Sequence, residues 1–366
     1  MSAIDLRNLG KRYPGGGGVG PITLTLEPGE RFVLLGPSGS GKSTLLRLIA
    51  GLETASTGEV WLHGERVDRW PPHQRGVGLL AQPPALYPQM TVRENLSAGR
   101  GTEPARVARA TAILRLERLL DRLPHQLSGG ERQRVALGKL LARPTRIWLL
   151  DEPFVALDAV FRDEFRHDLH LLLAEAQATM ILVTHDPIDA WALGRRIGVL
   201  SSGSLTQVGT PDQLATEPGH QYVAACLGRV TLLSGQAIGS AGGGDPSGEV
   251  FVPEGGSPPL MIPAPWGAVI RQQATPNLTL GIRPEDVVAV TSATPAPPGI
   301  RFANWPVVSA EPVGSGWLLT VARERSRLRV SWVTGSPPPV GAPADWLLPA
   351  DRCLWFDGSG QRITLH

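Results

Sequence analysis

The stretch Gly36-Pro37-Ser38-Gly39-Ser40-Gly41-Lys42-Ser43-Thr44 combines glycines, hydroxyls and one lysine in the spacing G-x-x-x-x-G-K-S. Glycines at this spacing let a backbone close around an anion without intruding Cβ atoms, so that successive N–H groups point inward. Lys42 can then reach the β/γ-phosphates of a nucleotide, and the Ser43 hydroxyl can ligate Mg²⁺. Such chemistry needs a strand before the loop and a helix start after it, because the helix dipole places positive partial charge where the phosphates lie. The apolar run Arg31–Leu35 supplies the strand and Leu45–Ala50 the helix. A nucleoside triphosphate is the expected ligand.

Four further motifs carry chemistry. Arg146-Ile147-Trp148-Leu149-Leu150-Asp151-Glu152 is an apolar strand ending in two acids. The first acid can hold Mg²⁺ and the second can polarise an attacking water. Leu127-Ser128-Gly129-Gly130-Glu131-Arg132-Gln133-Arg134 is a Ser/Gly turn entering a helix, a second anion-binding helix start. Val183-Thr184-His185-Asp186 ends another strand, and Gln82 ends the strand Val77–Ala81.

Composition narrows the setting. The 366 residues predict two domains or three. Lys+Arg 35 against Asp+Glu 33 leaves a net charge of +2 with no long basic run, so nucleic acid is not an expected partner. Two distant cysteines, Cys226 and Cys353, exclude a disulfide framework and a thiolate zinc site. Cys226 reads as a small buried apolar residue. The segment Met1–Arg7 lacks the apolar core of a signal peptide, and no stretch approaches about 18 uninterrupted apolar residues. A soluble protein is expected, whose membrane contact comes only through partners.

Along the chain, residues 1–228 alternate short apolar strands with helical patterns, the signature of an α/β layer fold. Strands are expected at Arg31–Leu35, Gly58–Leu62, Val77–Ala81, Ile147–Leu150, Met180–Thr184 and Ile197–Leu200. Val107, Ala110, Ile113, Leu114 and Leu120 predict an amphipathic helix between Glu103 and Leu123. Phe161, Phe165, Leu169, Leu172 and Leu173 predict another. After Gly228 the composition shifts to Gly, Ser and Pro, and Gly242-Gly243-Gly244-Asp245-Pro246 marks a loop. Strand-like pieces follow at Gly267–Arg271, Leu278–Ile282, Asp286–Val290, Trp317–Val321 and Arg327–Val333. Residues 229–366 therefore read as one or two small β-barrels.

With LSGG ahead of the acidic strand, the chain resembles the nucleotide-binding subunit of an ABC transporter. The resemblance implies a P-loop ABC ATPase domain over 1–228, with a helical subdomain at about 83–143. It implies that Asp151 coordinates Mg²⁺ and that Glu152 is the general base. Gln82 resembles the Q-loop glutamine that touches metal and attacking water and couples to the membrane partner. His185 resembles the switch histidine that contacts the γ-phosphate and positions Glu152. Tyr13 takes the place of the aromatic that stacks on adenine. Ser128, Gly129 and Gly130 resemble the signature residues that close over the opposing subunit's nucleotide, and Asp158 belongs to the same ATP-binding set. Two departures stand out: Val155 replaces the usual Ser, removing a hydroxyl that would bond across the dimer, and Ala81 replaces a usual aromatic before Gln82.

Downstream, Leu280-Gly281-Ile282-Arg283-Pro284-Glu285-Asp286-Val287 and Glu311-Pro312-Val313-Gly314-Ser315 resemble the TOBE regulatory domain, an all-β OB-fold-like extension. Gly76–Gln82, Ala85–Pro88, Pro72 and Arg75 resemble the carbohydrate-importer subgroup. The resemblance thus implies an ATPase with ATP and Mg²⁺ that energises import of a carbohydrate or related polar solute. Iron, polyamine, sulfate or molybdate import is the alternative, and a soluble non-transport ABC ATPase the lesser one. Implied partners are a second copy in head-to-tail arrangement, two transmembrane permease subunits and a solute-binding protein. The implied place is peripheral, on the cytoplasmic face of the plasma membrane.

Overall fold

A computed structural model of the chain describes residues 1–99, 101–228, 230–239, 249–273, 276–290, 297–333 and 335–365, with the backbone alone at 174–176. The chain divides into two compact units, Met1–Gln213 and Leu214–His366. The loop read at 242–246 lies outside the described residues.

The first unit is layered α/β. Its six-stranded sheet runs, in spatial order, Ser204–Gly209, Arg196–Ser201, Arg31–Leu35, Thr179–Thr184, Ile147–Asp151 and Val77–Leu80. All neighbours are parallel except the hairpin of the first two strands. The three central strands are buried along their whole length, as parallel strands covered on both faces must be. That is why each reads as an unbroken apolar run. A second, antiparallel sheet of Gly18–Leu26, Ile4–Arg12, Thr57–Leu62 and Glu65–Arg66 lies on the other side of helix Lys42–Ala50. Leu45, Leu46 and Ile49 of that helix join Phe32, Leu34, Leu149 and Val183 of one sheet and Leu6, Ile22 and Val60 of the other in one core. Each such side chain contributes roughly 1.5–3 kcal/mol on burial, so the helix that begins at Lys42 is held firmly from both sides.

Between strands Val77–Leu80 and Ile147–Asp151 lie helices Val92–Ser97, Pro104–Ile113 and Gly129–Leu141. The second is shorter than the sequence stripe implied. It stops at Ile113, and Arg115 turns the chain with φ 52°, so Leu116 and Leu119 bury from an irregular segment instead. Helix Ala159–Ala176 buries the expected Phe161, Phe165, Leu169 and Leu173.

The second unit is built mainly of antiparallel strands. Thr231–Gly239 pairs with Glu249–Pro253 and Asn277–Ile282, and Gly316–Arg323 is the middle of a three-stranded sheet. Trp305, Trp346, Trp355, Phe251 and Phe302 fill its core. One expected strand is overturned: Ala264–Ile270 is a helix. Pro265 sits in its first turn, where no amide bond is lost, and Trp266 and Ile270, four apart, are both buried. The piece at 286–290 also shrinks, to a 3-10 turn Pro284–Asp286 and a two-residue strand Val288–Ala289.

Candidate active site

The C-terminal ends of strands Arg31–Leu35, Ile147–Asp151 and Thr179–Thr184 lie side by side. Register pairs Leu35 with Thr184 and Asp151 with Val183. The residues that follow these ends, Gly36, Glu152 and His185, are thereby gathered at one edge, as expected for a ligand site of an open α/β sheet.

The loop after Leu35 enters helix Lys42–Ala50 through Gly41, whose φ of 100° a side chain would strain. No atom approaches within 4 Å of where a Cβ on Gly39 would lie, leaving open space above the loop. Lys42 is buried and donates from Nζ to the carbonyls of Gly36 and Pro37, both at 2.8 Å. Ser43 Oγ donates to Asp151 Oδ1 at 2.9 Å, although the two lie 108 positions apart. Asp151 is 4% exposed, and its burial pushes the carboxyl above its usual range; the bond from Ser43 offsets part of this.

Glu152 adopts φ 46°, a left-handed conformation uncommon for a side-chain-bearing residue. Its amide donates to Val183 O at 3.0 Å. The turn aims the carboxylate at His185, whose Nδ1 lies 2.9 Å from Glu152 Oε2. Gln82 Nε2 donates to the Glu152 carbonyl at 3.5 Å. Tyr13, Ser38, Gly39, Gly41, Lys42, Ser43, Thr44, Gln82 and Glu152 line one cleft. Tyr13 stands at its edge; its hydroxyl donates to Glu53 and lies 3.5 Å from Thr44 Oγ1. Pro37 is exposed on the loop, whereas Ser40 is buried beneath it.

Ser128, Gly129 and Gly130 do not line this cleft. They open helix Gly129–Leu141 with a reciprocal cap. Ser128 Oγ accepts from the Glu131 amide, and Glu131 accepts from the Ser128 amide at 2.7 Å, which holds its carboxyl below the usual range. A Cβ on Gly130 would meet Ala156 O at 2.7 Å, so only glycine lets the turn lie against the segment after Glu152. Buried Gln133 donates to Pro153 O at 3.3 Å in the same contact. Asp158 caps helix Ala159–Ala176, accepting from the Phe161 amide at 2.9 Å.

Several supporting residues escaped the sequence reading. Thr184 Oγ1 donates to Asp189 Oδ2 at 2.9 Å and accepts from the Asp186 amide at 3.0 Å. Asp189, 3% exposed, pairs with the buried Arg166 at 2.6 Å. This network clamps both sides of His185. The signal was the spacing Asp186-x-x-Asp189, an N-cap with an acid in the first helical turn. Arg75, read as a subgroup mark, reaches instead to Leu48 O and Ile49 O and fastens the end of helix Lys42–Ala50. Cys226 is only half-buried; Cys353 is the buried thiol.

Comparison with known proteins places this geometry. The family described as ABC transporter matches residues 19–155. The sn-glycerol-3-phosphate import ATP-binding protein UgpC of Salmonella typhimurium is 36% identical over 99% of this chain and 100% of its own length. The spermidine/putrescine import ATP-binding protein PotA of Pseudomonas fluorescens is 40% identical over 80% of this chain and 81% of its own. Among solved structures, the dimeric post-hydrolysis state of the ATP-binding cassette MJ0796 bound to ADP and Pi is similar with TM-score 0.53 and 31% identity. It covers 57% of this chain and 98% of that one. The chain belongs to the ABC transporter family of ATP-binding import proteins, and it is an ATPase of that family.

Proposed function

We propose that this protein is the ATP-hydrolysing subunit of an importer for a phosphorylated polyol or related polar solute. The observation that carries the catalytic part is the convergence of Gly36–Thr44, Asp151, Glu152, His185 and Gln82 at one sheet edge. Residues 1–228 act as the nucleotide-binding domain, with the helical subdomain at about 83–143. Backbone N–H groups of the 36–41 loop, Pro37 apart, and Lys42 hold the phosphates. Tyr13 stacks on the base. Glu152 takes the proton of the attacking water, while His185 holds that carboxylate in place and Gln82 orients the water from the other side.

Ser43 and Asp151 supply a hydroxyl and a buried carboxylate 2.9 Å apart, the hard oxygen donors Mg²⁺ prefers. Bound there, the cation would supply charge stabilisation to the transferring phosphoryl group. The burial that raises the Asp151 carboxyl is the cost such a cation would relieve.

Ser128, Gly129 and Gly130 stand apart from the cleft of their own chain, which supports a head-to-tail homodimer in which they close over the partner's nucleotide. Asp158, one residue from the Glu152 turn's last packed side chain Leu157, faces the same junction in this reading. Val155 carries no hydroxyl for it. Two permease subunits would dock beside Gln82, where Ala81, Ala85, Tyr87, Lys139 and Arg143 line a cavity of about 260 Å³. A solute-binding protein would deliver the cargo, and the subunit would sit peripherally on the cytoplasmic membrane face. No helix among the described residues is long and apolar enough to cross a membrane. Residues 229–366 would form the TOBE regulatory domain.

The solute class rests on the glycerol-phosphate importer relative, and the polyamine importer relative favours a second reading. The test is ATPase activity of the complex reconstituted with its permease subunits and binding protein. Stimulation by binding protein loaded with sn-glycerol 3-phosphate supports the first reading and stimulation by spermidine the second. Failure to copurify with any permease would overturn both.

A further inference from the structure

The parallel strands that present the nucleotide site at one end leave a second set of groups at the other. Arg31 opens one central strand, Arg146 precedes the next, Thr179 opens the third, and Arg195 precedes the strand beginning at Arg196. Register brings these starts together: Arg31 faces Met180, Ile147 faces Thr179, and Phe32 faces Arg196. Arg31, Arg146, Arg195, His63, Gln177 and Thr179 line one cavity of about 580 Å³, the size of a small-metabolite site.

Its charge is one-sided. Arg31 is 9% exposed at the floor, while Arg146 and Arg195 stand exposed at the rim. Among the described residues no carboxylate lies within ion-pairing distance of these three; the neighbouring Arg196 is the one that pairs, with Glu30 at 2.8 Å. Arg31 Nη1 lies 2.9 Å from His170 Nδ1. A guanidinium has no lone pair to offer, so His170 Nδ1 is the acceptor and its ring is neutral, with the proton on Nε2. Arg31 thus finds a hydrogen bond but no countercharge. Burying a guanidinium without an anion is costly, and the nearby Arg195 adds repulsion that, after burial itself, lowers the Arg31 pKa. The planar forks of three arginines meet carboxylate or phosphate oxygens two at a time.

We propose that this pocket binds a small multivalent oxyanion, a di- or tricarboxylate or a phosphate ester, at the end of the sheet opposite the nucleotide. Each central strand spans about five residues at roughly 3.3 Å apiece, so the two sites share a rigid element without overlapping.

The test is calorimetric titration of the full chain, its nucleotide site saturated with Mg·ADP, with citrate and separately with inorganic phosphate. Saturable binding of either anion is expected, weakened at least about tenfold by Arg146→Glu and by Arg195→Glu, since each reverses a charge facing the ligand. Both residues are exposed, so the variants should fold, and an unchanged Mg·ADP titration would verify it. Arg31→Gln should abolish binding. Two results would overturn the proposal: no saturable binding of either anion to the wild type, or equal binding by wild type and charge-reversed variants.

Discussion

Glu152 Oε2 lies 2.9 Å from His185 Nδ1 across two adjacent parallel strands, 33 positions apart in the chain. Two backbone features produce the pair. The register that sets Asp151 beside Val183 brings the strand ends level, and the left-handed turn at Glu152 swings its side chain toward the histidine. An ionised carboxylate only accepts, so with Glu152 charged it is His185 Nδ1 that carries the proton between them. Glu152 is thereby oriented without being neutralised, as a general base must be.

Glu152→Gln keeps the size and the left-handed turn while removing the base. Nucleotide affinity is expected to stay within a few-fold of wild type, while single-turnover hydrolysis falls by about 10²–10⁴-fold, the scale of general-base catalysis. Hydrolysis at the wild-type rate in rapid-quench measurements would remove Glu152 from that role. His185→Ala should lower the rate with little change in binding, since it frees the carboxylate without deleting it.

The Ser43–Asp151 bond separates metal-dependent from metal-independent affinity. Asp151→Asn is expected to weaken Mg·ATP binding by about 10–100-fold, the range for disturbing a metal's ligand environment, while binding of ATP in excess chelator changes little. Burial raises the Asp151 carboxyl above the usual carboxylate range. The unliganded fold therefore loses stability as pH rises from the ordinary carboxylate range through this raised value, and Mg²⁺ recovers it above. Equal Mg·ATP and ATP affinities in wild type, measured by titration at neutral pH, would contradict the pairing.

Much of this site was legible because its chemistry is local. The loop at 36–44, the acids at 151–152 and the histidine at 185 each follow an apolar run, and a strand buried on both faces announces itself by continuous apolarity. The supports were not legible, because they join distant segments: Tyr13 to Glu53, Arg75 to the helix end at Leu48 and Ile49, Asp189 to Arg166. Periodicity failed where a segment was short. Gly267–Arg271 reads as extended, yet Trp266 and Ile270 bury together only on a helix. The stripe running to Leu120 overshot because nothing local revealed the left-handed turn at Arg115.

The Arg166–Asp189 pair should behave as a clamp on the His185 turn. Removing one partner, as in Asp189→Leu, leaves the buried guanidinium to Asp163 and, at 3.6 Å, to Asp186, so the cost should stay below the about 3–5 kcal/mol of stranding a lone buried charge. The double variant Arg166→Met/Asp189→Leu is expected to be more stable than Asp189→Leu in urea unfolding, since it removes the buried guanidinium that has lost its buried partner. It should nevertheless hydrolyse ATP slowly, because Thr184 loses its acceptor and the turn its anchor. A double variant no more stable than the single would refute the clamp.

Lys139 offers a pH-dependent test of the region beside Gln82. Its Nζ donates to Ala85 O at 3.1 Å and stands 3.7 Å from the centre of the Tyr87 ring, so its charge is partly stabilised. Burial, with Arg143 adding repulsion, nevertheless lowers its pKa to about 8. Between that value and the ordinary lysine range, the unfolded chain holds the proton more tightly than the folded one, so stability rises with pH across the window. Below about 8 the folded protein carries the full cost of the buried charge. Lys139→Met removes the titration while keeping the stem's packing. The difference in thermal midpoint, wild type minus variant, should therefore increase from pH 7 to pH 10. A difference that stays flat or falls over that range would show that Lys139 is not held in a desolvated setting, and that the groove beside Gln82 is more open to water than its contacts indicate.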